Sequence, residues 1–386
     1  MTNSASSSLI RGVRIACFVT GLCLLPVLCT ATGAEPEKIA MTASRWTTHG
    51  GVEFVQHGGL DSLELKNGSW AILNDFVFGN GTIEFDVESA GGMGTGIAFR
   101  LRGMDSLEYF YLRPKPNCPE AADCIQYTPV THGVMLWDLF PQYQGPAPLK
   151  EGGWNHVKLV VSGQRMNVFI NGAPTPTLKI GRLEGDASEG AIWLLGPGFF
   201  ANLTVAVNKV EGLPAEPEED ATASDRRYLR NWQLSPYSTL AAGKEPAIAD
   251  LPAPTAAWQP LAAERSGLVN VSRVFGYPIP SFGPNRAMVW LKTTIRSSES
   301  GTKKVDFGWV REAWVFVNGK LVYADKNLYQ PPTARKPPDG RCSLQNGSFL
   351  LPLQAGDNEV AVALANNFYG WAFIFRLGDV EGILIR

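Results

Sequence analysis

Residues 81–88 read GTIEFDVE. Ile83, Phe85 and Val87 alternate with Glu84, Asp86 and Glu88, so apolar and acidic side chains take turns at a period of two. That period marks a strand with one face on a core and the other toward water. An Asn-Gly pair opens this strand, and the pair recurs at Asn67-Gly68, Asn171-Gly172, Asn318-Gly319 and Asn346-Gly347. Both residues tolerate positive φ, so Asn-Gly between strand-like runs signals a hairpin. Further short strands are expected at 96–101, 109–113, 155–162 and 165–170, then at 287–295, 312–317, 320–324, 359–365 and 371–376. Strands spaced in this way read as sandwiches or jelly rolls. No long stretch with a 3.6-residue period follows residue 34, which argues against a parallel α/β fold.

Composition narrows the function classes. The chain has 386 residues, with Lys plus Arg at 34, Asp plus Glu at 36 and a net charge of −2. That balance argues against nucleic acid as the partner. Charged residues make up 18% and apolar ones 45%, enough to exclude wholesale disorder. Gly at 40 and Pro at 27 favour many turns. The N-terminus carries Arg11 and Arg14, an apolar run over 15–29 and the small residues Ala31-Thr32-Gly33-Ala34. This is the layout of a secretory signal cleaved near Ala34, which implies a secreted or periplasmic protein. No later run is apolar enough to suggest a membrane span. Export permits disulfides, and Cys118 and Cys124 enclose a short loop suited to one, leaving Cys342 unpaired. No cysteine has a histidine at ligand spacing, so no metal site is expected, apart from a structural calcium near Asp379.

Residues 211–225 read EGLPAEPEEDATASD, an acidic, Pro- and Ala-rich stretch with no aromatic residue. It is expected to link a first sandwich over 35–210 to a second over 226–386.

The acids of 81–88 define one candidate face. In 96–101, Ile97 and Phe99 point inward and Arg100 outward; in 109–113, Phe110 and Leu112 point inward, leaving Tyr109, Tyr111 and Arg113 outside. Gln126 continues the pattern, and the long segment 114–152 is expected to fold over the face, bringing His132 and Trp137. If these strands are neighbours, Glu84, Asp86, Arg100, Tyr109, Tyr111 and Arg113 share one hollow. Carboxylates accept hydroxyl hydrogens, Arg donates a fixed fork and Tyr offers a flat amphipathic ring, so the hollow suits a hydroxyl-rich ligand. For a catalytic role the carboxylates available are Glu84, Asp86, Glu88 and Glu108, with Arg100 or Arg113 holding negative charge. The plain alternative is a solvated face with cross-strand ion pairs. Gly91-Gly92-Met93-Gly94-Thr95-Gly96 precedes no helix, so it reads as a rim of the hollow and not as a phosphate loop. Tyr277, Phe282, Trp309, Trp314, Phe368, Tyr369 and Trp371 read first as packing and second as stacking platforms for sugar.

Several stretches carry a family resemblance. GTIEFDVE, GIAFRL (96–101), EYFYLRP (108–114), GGWNHVKLVVSG (152–163) and VFINGAPTP (168–176) resemble a concanavalin A-like, laminin-G-type sandwich, and more loosely the 3-keto-disaccharide hydrolase domain. The second resemblance implies that Glu84, Asp86, Arg100 and Arg113 line a pocket. Glu84–Glu88 also resembles the E-x-D-x-E strand of laminarinase-type glycoside hydrolases, although residues four apart on a strand lie about 13 Å apart at their backbones. Retaining hydrolysis needs two carboxyls about 5–5.5 Å apart. YLRNWQLSPY (228–237), WVFVNGKLVY (314–323), LPLQAGDNEVAVALAN (351–366) and GWAFIFRL (370–377) resemble a galactose-binding-like jelly roll. The expectation is an all-β, exported protein that binds oligo- or polysaccharide on its first sandwich. The alternatives are a hydrolase or lyase acting through carboxylate and arginine, and a protein that binds another protein through a flat patch near Trp193, Phe199 and Phe200.

Overall fold

The computed structural model describes residues 35–92 and 94–385; the expected signal segment lies outside the described residues. Among the described residues there is one short α-helix, Ser272–Phe275, and the architecture is otherwise all β. The strands form four antiparallel sheets. Strands within 37–207 build the first two, and strands within 231–385 build the other two.

In the first pair, Ile83, Phe85 and Val87 from one sheet meet Ile97, Phe99 and Phe110 from the other in a single buried core. In the second pair, Val289, Leu291 and Val362 face Phe307, Phe373 and Phe375. The period-two alternation therefore identifies the core-facing sides, but on the second sheet the residues expected outside, Tyr109, Tyr111 and Gln126, are buried too, because further chain covers that face. Burying such side chains supplies about 25 cal/mol per Å² of apolar surface removed from water, which is what holds each pair of sheets together.

The expected neighbour relation between strands is not formed. Gly81–Ser89 lies in the first sheet, between Asn155–Ser162 and Gly198–Val207. Thr95–Gly103 lies in the second sheet, between Ser106–Leu112 and Ala191–Leu195. The chain leaves the first sheet at Ser89 and enters the second at Thr95, so these two strands do not pair. Glu84, Asp86 and Glu88 consequently face away from Tyr109, Tyr111 and Arg113, with the core between them. Alternation tells which side of a strand is buried; it does not tell which sheet the strand joins.

Arg100 departs from expectation in a second way. The pairing register shifts between Phe99 and Gly103, and Arg100 takes a φ of 55°. A bulge of this kind re-aims a side chain. Arg100 is only 3% exposed. Its guanidinium donates to the carbonyl oxygens of Gly79 (2.8 and 3.0 Å) and Gly163 (2.7 Å). It clasps the turn after Ser162 to the start of Gly81–Ser89 and offers nothing to a ligand.

Residues 211–225 are tied to both halves of the chain. Lys158 pairs with Glu211 at 2.7 Å, and the Gln164 amide donates to Ala215 O at 2.9 Å. On the other side Arg265 donates to the carbonyls of Glu218 and Glu219. Tyr228, Leu268, Cys342 and Ile374 join the first sandwich's core, so apolar packing continues across the junction.

Replacing Arg100 with Met leaves buried carbonyls without their donor. We expect Arg100→Met to lose roughly 2–4 kcal/mol in denaturant unfolding, with Arg100→Lys only partly rescued, because an ammonium cannot reproduce the planar fork. A change within about 0.5 kcal/mol would show that the clasp is dispensable.

Candidate functional site

Two clusters hold the expected site residues other than Arg100, Glu108 and His132, one on each outer face of the first sandwich. On the first sheet's face, His156 Nδ1 lies 2.8 Å from Asp86 Oδ1 and Nε2 lies 3.4 Å from Glu84. Asn202 donates to Asp86 at 2.7 Å. Burial works against ionisation of Asp86, but the hydrogen bonds from His156 and Asn202 outweigh it and hold the carboxyl below its ordinary value. The same hydrogen bond is the main reason that His156 is raised above its own. Glu88 pairs instead with His57 at 3.1 Å, whose ring stacks on Phe199 at 3.7 Å. The three acids are thus divided between two histidines and do not flank a common gap as the laminarinase-like reading requires.

Glu108 is not on either outer face. It points into the sandwich interior, where Tyr127 donates to it at 2.7 Å. Burial is the main cause that pushes its carboxyl up to about 7. Its seclusion removes it from the catalytic candidates that a ligand can reach.

The second sheet's outer face carries the other cluster. Tyr109 and Tyr111 stack with centroids 4.8 Å apart. Gln126 is fully buried beneath them: its Oε1 accepts from Tyr111 Oη and Arg113 Nη2, both at 2.8 Å, and its Nε2 donates to Trp137 O at 2.8 Å. One amide thereby fixes a phenol, a guanidinium and the backbone that carries the indole. Gln126 positions these groups and does not itself reach the surface. Burial pushes the Tyr109 and Tyr111 phenols up, so both remain protonated. The Cys118–Cys124 disulfide closes the loop that supplies Asp123, which lies 3.8 Å from Arg113. Cys342 is free and buried.

The second sandwich completes this cluster. A cleft of about 260 Å³ is lined by Gly92, Tyr111, Arg113 and Trp137, and from the other side by Tyr329, Phe368 and Tyr369. Trp137 meets Tyr329 at 4.7 Å and Tyr369 at 5.5 Å, edge to face. Phe282, 66% exposed, extends the ring cluster at the rim by packing on Phe368 at 5.1 Å. Gly92 gives the glycine-rich segment the rim position expected of it. His132 is exposed on a turn against Gly276 and lies outside the lining, and Tyr109 sits beside Tyr111 without lining the cleft. Trp309, Trp314 and Trp371 are buried in packing. Phe368 and Tyr369 were legible as aromatics near loops; their partnership with Trp137 had no signal in the sequence.

Asp138 holds the two walls together. Its Oδ1 accepts from the Gly370 amide at 3.1 Å and its carbonyl accepts from Cys342 N at 2.8 Å. Burial pushes its carboxyl up to about 7, against backbone hydrogen bonds and the nearby Arg341 and Arg311, which lower it.

A larger groove, about 630 Å³, runs along the second sandwich, but its one aromatic lining residue, Trp232, is buried and donates to Leu229 O. No flat patch forms from Trp193, Phe199 and Phe200: Phe200 is in the core, and the other two lie on different sheets. Among the described residues no group of three or more His, Cys, Asp or Glu side chains is arranged to hold a metal ion, and Asp379 pairs with Lys303 at 2.5 Å. Among the described residues no helix is long and apolar enough to cross a membrane.

Residues 40–206 match the family described as a 3-keto-alpha-glucoside-1,2-lyase-like domain, over less than half of the chain. Similar solved structures include carbohydrate-binding module CBM66 from Bacillus subtilis, at 14% identity over 43% of this chain and 93% of that one, with a TM-score of 0.30. Domain 4 of AbnA, an extracellular arabinanase from Geobacillus stearothermophilus, is 12% identical over 46% and 85%, with a TM-score of 0.30. A putative glycosyl hydrolase from Parabacteroides distasonis is 12% identical over 42% and 88%, with a TM-score of 0.28. No curated protein matches the chain.

The raised carboxyl of Asp138 sets a pH dependence. Between about pH 4 and pH 7 the folded chain keeps a proton there that the unfolded chain has lost, so stability falls as pH rises through this window and levels off above it. Glu108 contributes in the same direction. We expect Asp138→Asn, which keeps an acceptor for Gly370, to gain on the wild type across the window by up to about 1.4 kcal/mol per pH unit. Urea midpoints at several pH values check this; parallel curves for the two proteins would contradict it.

Proposed function

We propose that the chain is an exported carbohydrate-recognition protein and that its principal site is the cleft between the two sandwiches. The observation that carries this reading is the composition of the wall. Five of the eight lining residues are aromatic, one is arginine and none is a carboxylate. Tyr111 and Trp137 are 1% and 6% exposed and back the cleft, so the rings open to a ligand are Tyr329, Phe368 and Tyr369. Such rings present flat apolar faces to the C–H faces of a sugar, and phenols add polar edges. Acid–base hydrolysis of a glycoside uses two carboxyl groups across the bond, and the residues of Ser106–Leu112 and its extension that face the cleft are tyrosine and arginine. The concanavalin A-like and galactose-binding-like assignments of the two sandwiches, with domain limits at 35–210 and 226–386, belong to the same proposal, as does cleavage of a signal near Ala34.

The family match favours one other reading, a hydrolase or lyase acting on a 3-keto-glucoside. Elimination next to a ketone needs a base to remove the adjacent proton. The half-exposed His156–Asp86 pair is the base that the first sandwich offers, on the face opposite the cleft. In this reading the recognition cleft and the reacting group are separate.

Calorimetric titration against a panel of oligosaccharides tests the leading reading. We expect Trp137→Ala and Tyr329→Ala each to weaken binding by roughly tenfold or more, since stacking aromatics contribute about 0.5–1.5 kcal/mol beyond their buried area. Far-ultraviolet circular dichroism of the variants should be unchanged. Unchanged affinity in both variants would move the site elsewhere. Release of the aglycone from a 3-keto-glucoside, lost in His156→Asn, would establish the enzyme reading instead.

A further inference from the structure

Arginines surround the aromatic cleft in a regular way. The Arg113 guanidinium carbon lies 4.6 Å from the Tyr111 ring centroid, that of Arg341 lies 5.1 Å from Trp137, that of Arg335 lies 3.9 Å from Tyr329 and that of Arg311 lies 5.3 Å from Phe368. Four of the five aromatic lining residues therefore each carry a cation on the ring. Hydroxyl recognition alone gives no reason for this.

The counter-charges are too few on both sides. On the first sandwich, Arg113 and Lys115 share Asp123. On the second, Arg335 and Arg341 share Asp339, at 2.6 and 2.8 Å. Each carboxylate answers two cations, and the Asp138 carboxyl, pushed up to about 7 by burial, answers Arg341 and Arg311 only in part, which leaves positive charge on either side of the cleft. Arg341 is 0% exposed, and its Nε and Nη2 have no hydrogen-bond partner. A buried guanidinium with idle donors is costly unless something compensates it. Within the lining itself Arg113 is the one charged side chain.

Resting on the recognition reading above, we propose that the ligand is an acidic saccharide, one whose sugar ring packs on Tyr329 where that ring is braced by Trp137, while its carboxylate meets Arg113. Both Nη2 hydrogens of Arg113 are held by Tyr111 Oη and Gln126 Oε1, at 2.7 and 2.8 Å, so a ligand carboxylate meets one of its remaining N–H donors. A charge-assisted hydrogen bond of this kind is about twice as strong as a neutral one. Arg341, behind the Trp137 ring, adds positive potential where the surroundings screen it least. The acid neutralises charge that the protein leaves unanswered, whereas a neutral sugar would not.

The test uses the intact protein and oligogalacturonate, oligoglucuronate, their carboxyl-reduced neutral counterparts and a sulfated neutral oligosaccharide. We expect at least one oligouronate to bind roughly tenfold or more tightly than its reduced counterpart, with affinity that falls as salt is raised. Arg113→Gln should erase the difference between acid and reduced forms, and Arg113→Lys should restore part of it. The wild-type salt series needs no variant and stands even if Arg113→Gln folds poorly. Equal binding of acid and reduced forms, both lost in Trp137→Ala, would overturn the acidic ligand and leave the cleft reading intact. Tight binding of the sulfated sugar without any oligouronate would overturn the carboxylate assignment. Binding of no saccharide in the panel, or binding indifferent to Trp137→Ala, would overturn both.

Discussion

A β-carbon on Gly370 would lie 2.5 Å from Asp138 Oδ1 and 2.6 Å from Leu139. Only a glycine lets the two sandwiches approach this closely, and the amide exposed by that approach is the donor that satisfies the buried Asp138 carboxyl. The contact places Trp137, one residue away, against Tyr369, one residue away on the other side. The geometry of the cleft is therefore a consequence of packing between the two sandwiches. Separating the sandwiches would expose apolar core at Tyr228, Leu268 and Ile374 and would leave Asp138 buried without its donor. A cleft fixed in this way needs little ordering when a ligand arrives, and such preorganisation favours affinity.

The same economy governs the polar groups below the cleft. Tyr111, Arg113 and Trp137 lie on different segments, and Gln126 ties them through both ends of its amide. An amide is suited to this place because it accepts and donates at once without carrying charge. A carboxylate there would pair fully with Arg113 and withdraw its charge from a ligand. With glutamine, the arginine is held in position yet its charge is only loosely answered by Asp123.

The sequence reveals much of the architecture through period-two alternation and turn residues: Ile83, Phe85, Ile97 and Phe110 are all buried as their spacing requires. It misplaces the site for a physical reason. Residues 90–94 are rich in glycine, and such a segment serves equally as a tight hairpin or as a crossing between sheets. Taking the strands on either side as neighbours merges two faces that the fold separates. Arg100 is misread for a related reason, since a bulge with positive φ breaks the alternation on which its outward placement rests. Tyr111, Arg113 and Trp137 are legible because they do alternate with core residues or sit in the segment that folds over the sheet. Tyr329, Phe368 and Tyr369 are more than 190 residues away from them in the chain, and local pattern carries no information about so distant a contact.

That separation also sets the His156–Asp86 pair and the aromatic cleft on opposite faces. Histidine and carboxylate meet on the first sheet, where Asn155–Ser162 sets His156 directly opposite Asp86. The cleft lies on the second sheet, where the strand facing it offers tyrosine and arginine. Gly94 shows what keeps this arrangement tight: a β-carbon there would lie 2.5 Å from the Tyr111 ring, so the crossing backbone is pressed against the cleft floor. The segment that divides the two faces thus also forms the edge of one of them. A larger residue at Gly94 would have to push Tyr111 away from Gln126, and with it the hydrogen bonds that aim Arg113. The glycines of this crossing are needed twice, once for the passage between sheets and once for the shape of the cleft floor.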